Sequence, residues 1–315
     1  ENRFDNKTRT LTSFLFLLQR GLSTGISVFA PSIILSSLFG WNIYYTNLLM
    51  GGLLIIYTMS GGAKAVAYTQ QLQLIIIFTG MFLAGYMVVR MLPDHVGFTD
   101  ALEISGKMGR LNVITTGFEN GKFNWSDQYN LLSGIVGGFF LALSYFGADQ
   151  SQVGRYLTAK SLKESRMGLL MNGLVKVPMQ FAILLIGALV FTFYQFNKAP
   201  LFFYVVQLKK LEQTKYSDSL SSASTLYDAI AIQNVATVNA YAAESASADD
   251  LPNPELLNQL RSLQRQSDSL RTKVKSWLNK KEVGGDGNDT NFIFLRFVVD
   301  HLPAGLVGLL IAIIF

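Results

Sequence analysis

The sequence predicts an all-α integral membrane protein, and three observations carry that prediction. Half of the 315 residues are hydrophobic, only 15% are charged, and mean hydropathy is positive, whereas soluble domains carry nearer a quarter charged residues. Five apolar runs each approach the ~20 residues that cross ~30 Å of hydrocarbon. Much of the charge lies outside them: residues 195–302 hold 12 of the 26 Lys/Arg and 12 of the 21 Asp/Glu. Lipid offers the backbone no hydrogen-bond partners, so runs of this length and polarity fold as helices.

The first run spans Leu11 to Leu38 and is interrupted by Arg20 and Pro31. The second, Ile43 to Met59, and the third, Ala65 to Met91, meet at Gly61-Gly62 with only Lys64 and a few polar groups between them. This spacing predicts a membrane hairpin with a glycine hinge. Residues 93–130 read as a polar loop. The fourth run covers Leu131 to Ala148 and the fifth Met167 to Phe196. From Pro303 to Phe315 a further apolar run rises about 20 Å, too short to span. With Glu1 at the start, the reading is of an internal fragment of a longer protein. The expected organisation is a five-helix transmembrane core over 1–196, a mostly helical extracytoplasmic insertion over 197–295, and the start of a truncated transmembrane helix over 296–315.

Charge and composition exclude several functions. The net charge of +5 arises in short loops, the sign of positive-inside bias and not of a nucleic-acid patch. The expected partners are therefore the lipid bilayer and no nucleic acid. Arg3, Lys7 and Arg9, Lys64, and Arg155, Lys160, Lys163 and Arg166 occupy alternate loops, which places those loops in the cytoplasm and 93–130 and 195–302 outside. No cysteine is present, and His95 and His301 are the only histidines. With no nucleophile elbow, P-loop or metal-ligand cluster, nothing points to an enzyme or to a metal site.

Within the insertion, Leu256, Leu260, Leu263, Leu270, Val274 and Trp277 recur at three- and four-residue spacing. The stripe predicts one helix between Pro252-Pro254 and Gly284-Gly287, with a partner helix inside Leu220 to Ala243. A hairpin packed on itself and a docking site for another protein are both compatible with it.

Candidate pathway residues stand out as polar groups within apolar runs. Ser144 to Ser161 follows a glycine-rich helix, and its Gly147-Ala148-Asp149-Gln150 invites local unwinding, tolerated at membrane depth only beside a cavity or inside protein. Tyr145 and Phe146 then line a pathway or simply pack between helices. Asp149 and Arg155 lie in the pathway or at the cytoplasmic interface. Lys176 sits about ten residues into the fifth run, with Pro178 loosening the helix beside it, and faces a cavity or snorkels to the interface. Arg20, about 14 Å along the first run from Leu11, either binds a carboxylate bidentately or pairs structurally on the cytoplasmic side.

Tyr57 to Gln73, Tyr-Thr-Met-Ser-Gly-Gly-Ala-Lys-Ala-Val-Ala-Tyr-Thr-Gln-Gln-Leu-Gln, resembles the signature of the sodium/solute symporter family, Tyr-Thr-x-x-Gly-Gly-x-x-Ala-Val-x-x-Thr-Asp-x-x-Gln. Gln70 departs from the family Asp. Ser144 to Ser161 resembles that family's discontinuous helix, in which an aromatic pair precedes Gly and a Gln and an Arg follow. The Lys176-x-Pro178 pattern resembles the family's next helix. Text at Arg3-Phe4 and at His301 to Leu309 is similar as well, so the resemblance covers nearly all the chain except the insertion.

The resemblance implies a sodium-glucose-cotransporter-like protein of leucine-transporter-type fold. This chain would form a partial inverted-repeat helix bundle bearing an extramembrane helical hairpin insertion. It implies sodium-coupled symport of a small polar solute (a sugar, organic acid or similar) by alternating access, in a multi-pass inner or plasma membrane protein. The implied solute-binding residues are Tyr145, Phe146, Gly147, Gln150 and Lys176, joined by Arg20 from its own position; Thr69 and Gln70 would lie on the cation pathway. A polar sugar contact of the sugar-transporting branch falls at Ala142 here. Na⁺ is the implied coupling ion, with its principal site largely outside this sequence. The rival readings are a symporter-like sensor domain of a signalling protein and a scaffold displaying the insertion.

Overall fold

The computed structural model describes residues 5–112, 115–119, 121–124, 130–149, 152–154, 159, 161–247 and 253–312. It is helical almost throughout those residues. Contacts divide the chain into two compact units, Glu1–Met87 with Asn197–Val238 and Asn258–Phe315, and Val88–Phe196 with Asn239–Leu257.

In the first unit, helix α1 (Asn6–Phe39) opens on Asp5, whose carboxylate accepts the Thr8 N–H at 3.0 Å. That bond satisfies one of the donors a helix start leaves orphaned. Pro31 lies inside α1 without ending it, since proline removes one backbone bond from a helix that keeps many others. Gly40, at φ +69°, closes α1 in the left-handed region, the usual glycine cap. Helices α2 (Ile43–Gly62) and α3 (Val66–Arg90) follow. The break falls at Gly62, with φ +59° and ψ −173°, a conformation open to glycine and strained for any side chain. The hinge expected from the paired glycines is therefore a single-residue break at Gly62.

In the second unit, helix α4 (Phe98–Lys107) appears where a polar loop was expected. The Gly97 N–H donates to Asp100 Oδ2 at 2.8 Å at its start, and Ala101, Ile104 and Ser105 are buried. A two-residue hairpin, β1 (Phe118–Glu119) with β2 (Lys122–Phe123), precedes α5 (Leu131–Leu143). Asn130 caps α5 by accepting the Ser133 N–H at 2.8 Å. A π-helical turn, Ser144–Ala148, extends α5, and α6 (Leu162–Phe196) crosses beyond it. Thr192 on α6 donates to the Ala101 carbonyl at 2.9 Å, and the Arg110 guanidinium lies 4.7 Å from the Phe191 ring. These contacts hold α4 against α6.

Among the described residues, five helices are long and apolar enough to cross a membrane: α1, α2, α3, α5 with its π turn (Leu131–Ala148), and α6. Their large apolar side chains are mostly exposed, Leu17, Ile26, Leu48, Ile56, Phe139 and Leu184 among them. Hydrocarbon accepts such surfaces; water would drive them together.

The remaining elements are α7 (Val205–Glu212), α8 (Ser217–Ser247), α9 (Pro254–Leu278), α10 (Ile293–His301) and α11 (Ala304–Ala312). Leu263, Leu270, Val274 and Leu278 of α9 form one core with Leu211, Leu220, Tyr227, Ile230, Leu201 and Phe202. The buried row runs on to Leu278, while Trp277 at its edge stacks on Tyr216 at 6.1 Å between ring centroids. Asp289 is buried beside this core and accepts the Phe203 N–H at 3.2 Å. Arg271 Nη2 donates to its Oδ2 at 2.6 Å, and Lys275 Nζ lies 2.9 Å from its Oδ1. Outside it, a hydrogen bond from Lys215 holds the exposed Glu282 carboxyl below the usual carboxylate range, a pairing that solvent largely screens. We expect Leu263→Ala and Leu270→Ala each to cost about 2–5 kcal/mol. Unfolding midpoints of the purified protein check this, and a shift no larger than that of a surface Ser269→Ala change would contradict the core assignment.

Candidate functional site

The π turn at Ser144–Ala148 shapes the first part of the candidate site. Its backbone bond runs from the Asp149 N–H to the Ser144 carbonyl at 3.0 Å, the i−5 spacing of a π turn. Asp149 then leaves the helix with ψ 110°. The unwinding expected at Gly147-Ala148-Asp149 therefore takes the form of a widened turn that ends on an extended Asp149. Beyond the glycine, space is open: a Cβ at Gly147 would meet nothing within 4 Å.

Tyr145 and Phe146 emerge from this turn with ring centroids 5.0 Å apart in an edge-on arrangement. The Lys176 ammonium on α6 lies 5.6 Å from the Tyr145 ring centroid. Pro178 deprives the Leu174 carbonyl of its helical donor close to that lysine. A cation over an aromatic face is held by the ring quadrupole, which aims Lys176 at the turn. The structure thus brings Tyr145, Phe146, Gly147 and Lys176 together within one unit. Gln150 and Arg155 lie outside the described residues.

The hinge carries a second polar cluster, in the other unit. Thr69 donates to the Val66 carbonyl at 3.1 Å, so the hydrogen bond it shares with the Tyr57 hydroxyl has Tyr57 as donor. That bond joins α2 to α3 across the Gly62 break. Gln70, next to Thr69, is exposed.

Arg20 lies on α1 in a groove of about 600 Å³ lined by Leu17, Arg20, Gly21, Thr24, Gly25, Val28 and Asn47. Its guanidinium also rests 5.6 Å from the Phe16 ring centroid. Reading the residues one by one missed Asn47 and the role of Tyr57. Asn47 carried a signal, being an amide within an otherwise apolar stretch. Tyr57 stands out only as the first position of the signature, and its hydrogen bond cannot be read there because its partner is twelve residues away. Among the described residues no group of three or more His, Cys, Asp or Glu is placed to hold a metal ion.

A family model described as sodium:solute symporter family matches residues 1–209. The chain belongs to the sodium:solute symporter family. Its match takes in α1 to α6, both glycine-bearing motifs and every candidate site residue. Among relatives, the human sodium/iodide cotransporter is 28% identical over 199 residues, 62% of this chain and 29% of that protein. Human sodium-coupled monocarboxylate transporter 1 is 30% identical over 174 residues, 55% of this chain and 27% of that protein. The sodium-dependent multivitamin transporter of Oryctolagus cuniculus is 27% identical over 215 residues, again 62% and 29%. The chain thus matches less than a third of the length of each symporter relative. No solved structure matches it.

Proposed function

We propose that this chain is part of a longer sodium-coupled symporter that moves a small polar solute inward by alternating access. The activity is transport and not catalysis. The observation that carries the reading is the Lys176 ammonium held over Tyr145 at a π turn within a membrane-length helix. A charged group that deep in a bilayer is costly and marks a pathway, and broken helices are where transporters meet their solutes. Tyr145, Phe146, Gly147, Gln150 and Lys176, with Arg20, contact the solute. The relatives' names point to small cargoes as well: iodide, monocarboxylates and vitamins.

In this reading residues 1–196 are the transmembrane core in the plasma or inner membrane. The segment 197–295 is an extracytoplasmic insertion, and 296–315 begins the next membrane helix. Helices α1 to α3 close one inverted repeat, and α5 and α6 open the other. Sodium binds mainly through helices beyond this sequence, with Thr69 and Gln70 on its cytoplasmic path. The deciding experiment is uptake by the purified transporter in proteoliposomes. An imposed inward sodium gradient is expected to concentrate solute, and equal uptake from potassium medium would refute the coupling.

Gln70 sets the stoichiometry in this proposal. A carboxylate suits a hard cation because its charge offsets dehydration, whereas an amide supplies only a neutral carbonyl oxygen. We therefore expect one sodium per solute, read from reversal potentials in proteoliposomes, and Gln70→Asp to raise it toward two. A ratio of two in the unaltered protein that survives Gln70→Ala would place a second sodium elsewhere.

A further inference from the structure

Taking the symport reading as its basis, we infer that the two ends of the 197–295 segment form a permanent clasp. It stays closed through the transport cycle, and the chain leaving α6 thereby steers the chain entering α10. The ends concerned are residues 197–204, which follow α6, and residues 285–292, which lead into α10. Phe203 is seven residues past the end of α6, and Asp289 is four before the start of α10.

Three contacts run along the seam between these ends. The Phe203 N–H donates to Asp289 Oδ2 at 3.2 Å across 86 residues of sequence. Beside them the Tyr204 and Phe292 rings stack, with centroids 4.0 Å apart and planes 17° apart. The Asp286 N–H donates to Gln207 Oε1 at 3.3 Å. Leu201, Phe202, Phe203, Asp289 and Phe292 are all buried, so parting the two ends would expose apolar rings to water. It would also take the carboxylate from Arg271 and Lys275, which both bind it, and leave charge unpaired beside a core. Both costs act whatever the membrane helices do, which keeps the seam shut.

The flanks are fastened too. Gly284, at φ +56°, turns the chain back after α9. Gly287 then lies against α9: a Cβ there would come within 2.8 Å of the Asn279 side chain and 2.9 Å of the Lys275 carbonyl. Its N–H donates to Asn279 Oδ1 at 2.9 Å. On the other side, Lys198 pairs with Asp228 at 2.8 Å, and the Tyr227 hydroxyl donates to the Pro200 carbonyl at 3.4 Å. Each end is therefore fixed to the same folded element. Without the clasp a connection this long constrains its ends weakly, because closure entropy grows only with the logarithm of length. With it, the connection between α6 and α10 behaves as a short tie. Alternating access moves helices against one another, and such a tie limits the displacements open to α10 and the apolar α11.

The test places a switchable bridge on the seam of the full transporter. The 315 residues contain no cysteine, so Tyr204→Cys with Phe292→Cys puts one thiol on each end, the rest of the transporter being freed of cysteine. A reversible bis-methanethiosulfonate reagent joins the pair. Bridging, read by mass spectrometry, is expected to be equally complete in sodium and in potassium medium. A yield that falls in either medium shows that the seam opens and overturns the clasp. Transport is then read in proteoliposomes under an inward sodium gradient, with radiolabelled iodide, pyruvate and biotin as probes. The bridged protein should carry its cargo at the rate of the unaltered one, and a block that reductant relieves overturns the clasp as well. Adding Asp289→Asn should lower uptake several-fold in the unbridged pair, and bridging should restore it. Uptake equal with and without the bridge in that triple variant overturns the steering role. Hydrogen exchange across α9 checks that the element stays folded; if Asp289→Asn costs that protection, Gln207→Ala breaks the seam more gently and meets the same criterion. Uptake that ignores sodium overturns the symport reading, and the bridging yields still decide whether the clasp stays shut.

Discussion

Lys176→Ala is expected to lower sodium-driven uptake at least about tenfold, equivalent to about 1.4 kcal/mol, while leaving the protein in the membrane. Lys176 lies about 21 Å along α6 from Leu162, and its ammonium sits 5.6 Å from the Tyr145 ring centroid. Its side chain is exposed, so no packed core collapses when it is shortened. What disappears is the charge that the spanning part of α6 brings to the π turn, together with a cation–π contact of about 0.5–2 kcal/mol. Lys176→Arg should keep part of the activity, since charge and reach survive and hydrogen-bond geometry changes. Tyr145→Phe keeps the aromatic face and should do less harm than Tyr145→Ala. Uptake normalised to surface-biotinylated protein is the measurement. Near-normal transport by Lys176→Ala at normal surface expression would remove this lysine from the pathway.

Asp289→Ala is expected to destabilise the α7–α9 element by about 3–5 kcal/mol, the cost of leaving buried charge without its partner. The Asp289 side chain is only 1% exposed, and that of Arg271 only 17%. Removing the carboxylate strands the Arg271 guanidinium beside the Phe203 ring, 5.0 Å from its centroid, and leaves Lys275 and the Phe203 N–H without their acceptor. Asp289→Asn keeps an acceptor for Phe203 and loses the charge, so its cost should fall between zero and that of alanine. A double-mutant cycle with Arg271→Met separates the pair from its surroundings: the double variant should be more stable than Asp289→Ala alone. Hydrogen exchange at the Phe203 amide and the unfolding midpoint report the effect. A loss below about 1 kcal/mol, the range of an exposed ion pair, would show that solvent reaches the pair in solution.

The site was legible to different depths at different residues. Tyr145, Phe146 and Lys176 stood out because an aromatic pair beside glycine and a deep lysine are anomalies in apolar text, and an anomaly needs no partner to be seen. Their mutual geometry was invisible, since it depends on how α5 and α6 meet. Asn47 is ambiguous in the sequence, because one amide in an apolar run says little until its oxygen is seen to be buried and without a hydrogen-bond partner among the described residues. The ten residues of α4 look like loop in the sequence for a related reason. With Asp100, Glu103, Gly106 and Lys107 among its ten residues the stretch is as polar as a loop, and its helix is stabilised by burying Ala101 and Ile104 and by the Thr192 bond.

By itself the sequence determined the membrane-length helices and the hinge. Hydrocarbon leaves a 20-residue apolar run no alternative to a helix, and a break at φ +59° falls to glycine, so both constraints are local. It also determined the α9 stripe, because helical periodicity places those leucines on one face wherever their partners lie. Only the tertiary structure decided which polar atoms meet. Asp289 finds Arg271 across 18 residues and Phe203 across 86. Lys176 finds Tyr145 on another helix. Such encounters depend on helix crossings set by the summed packing of many side chains, each contact small, and no single stretch of sequence encodes that sum.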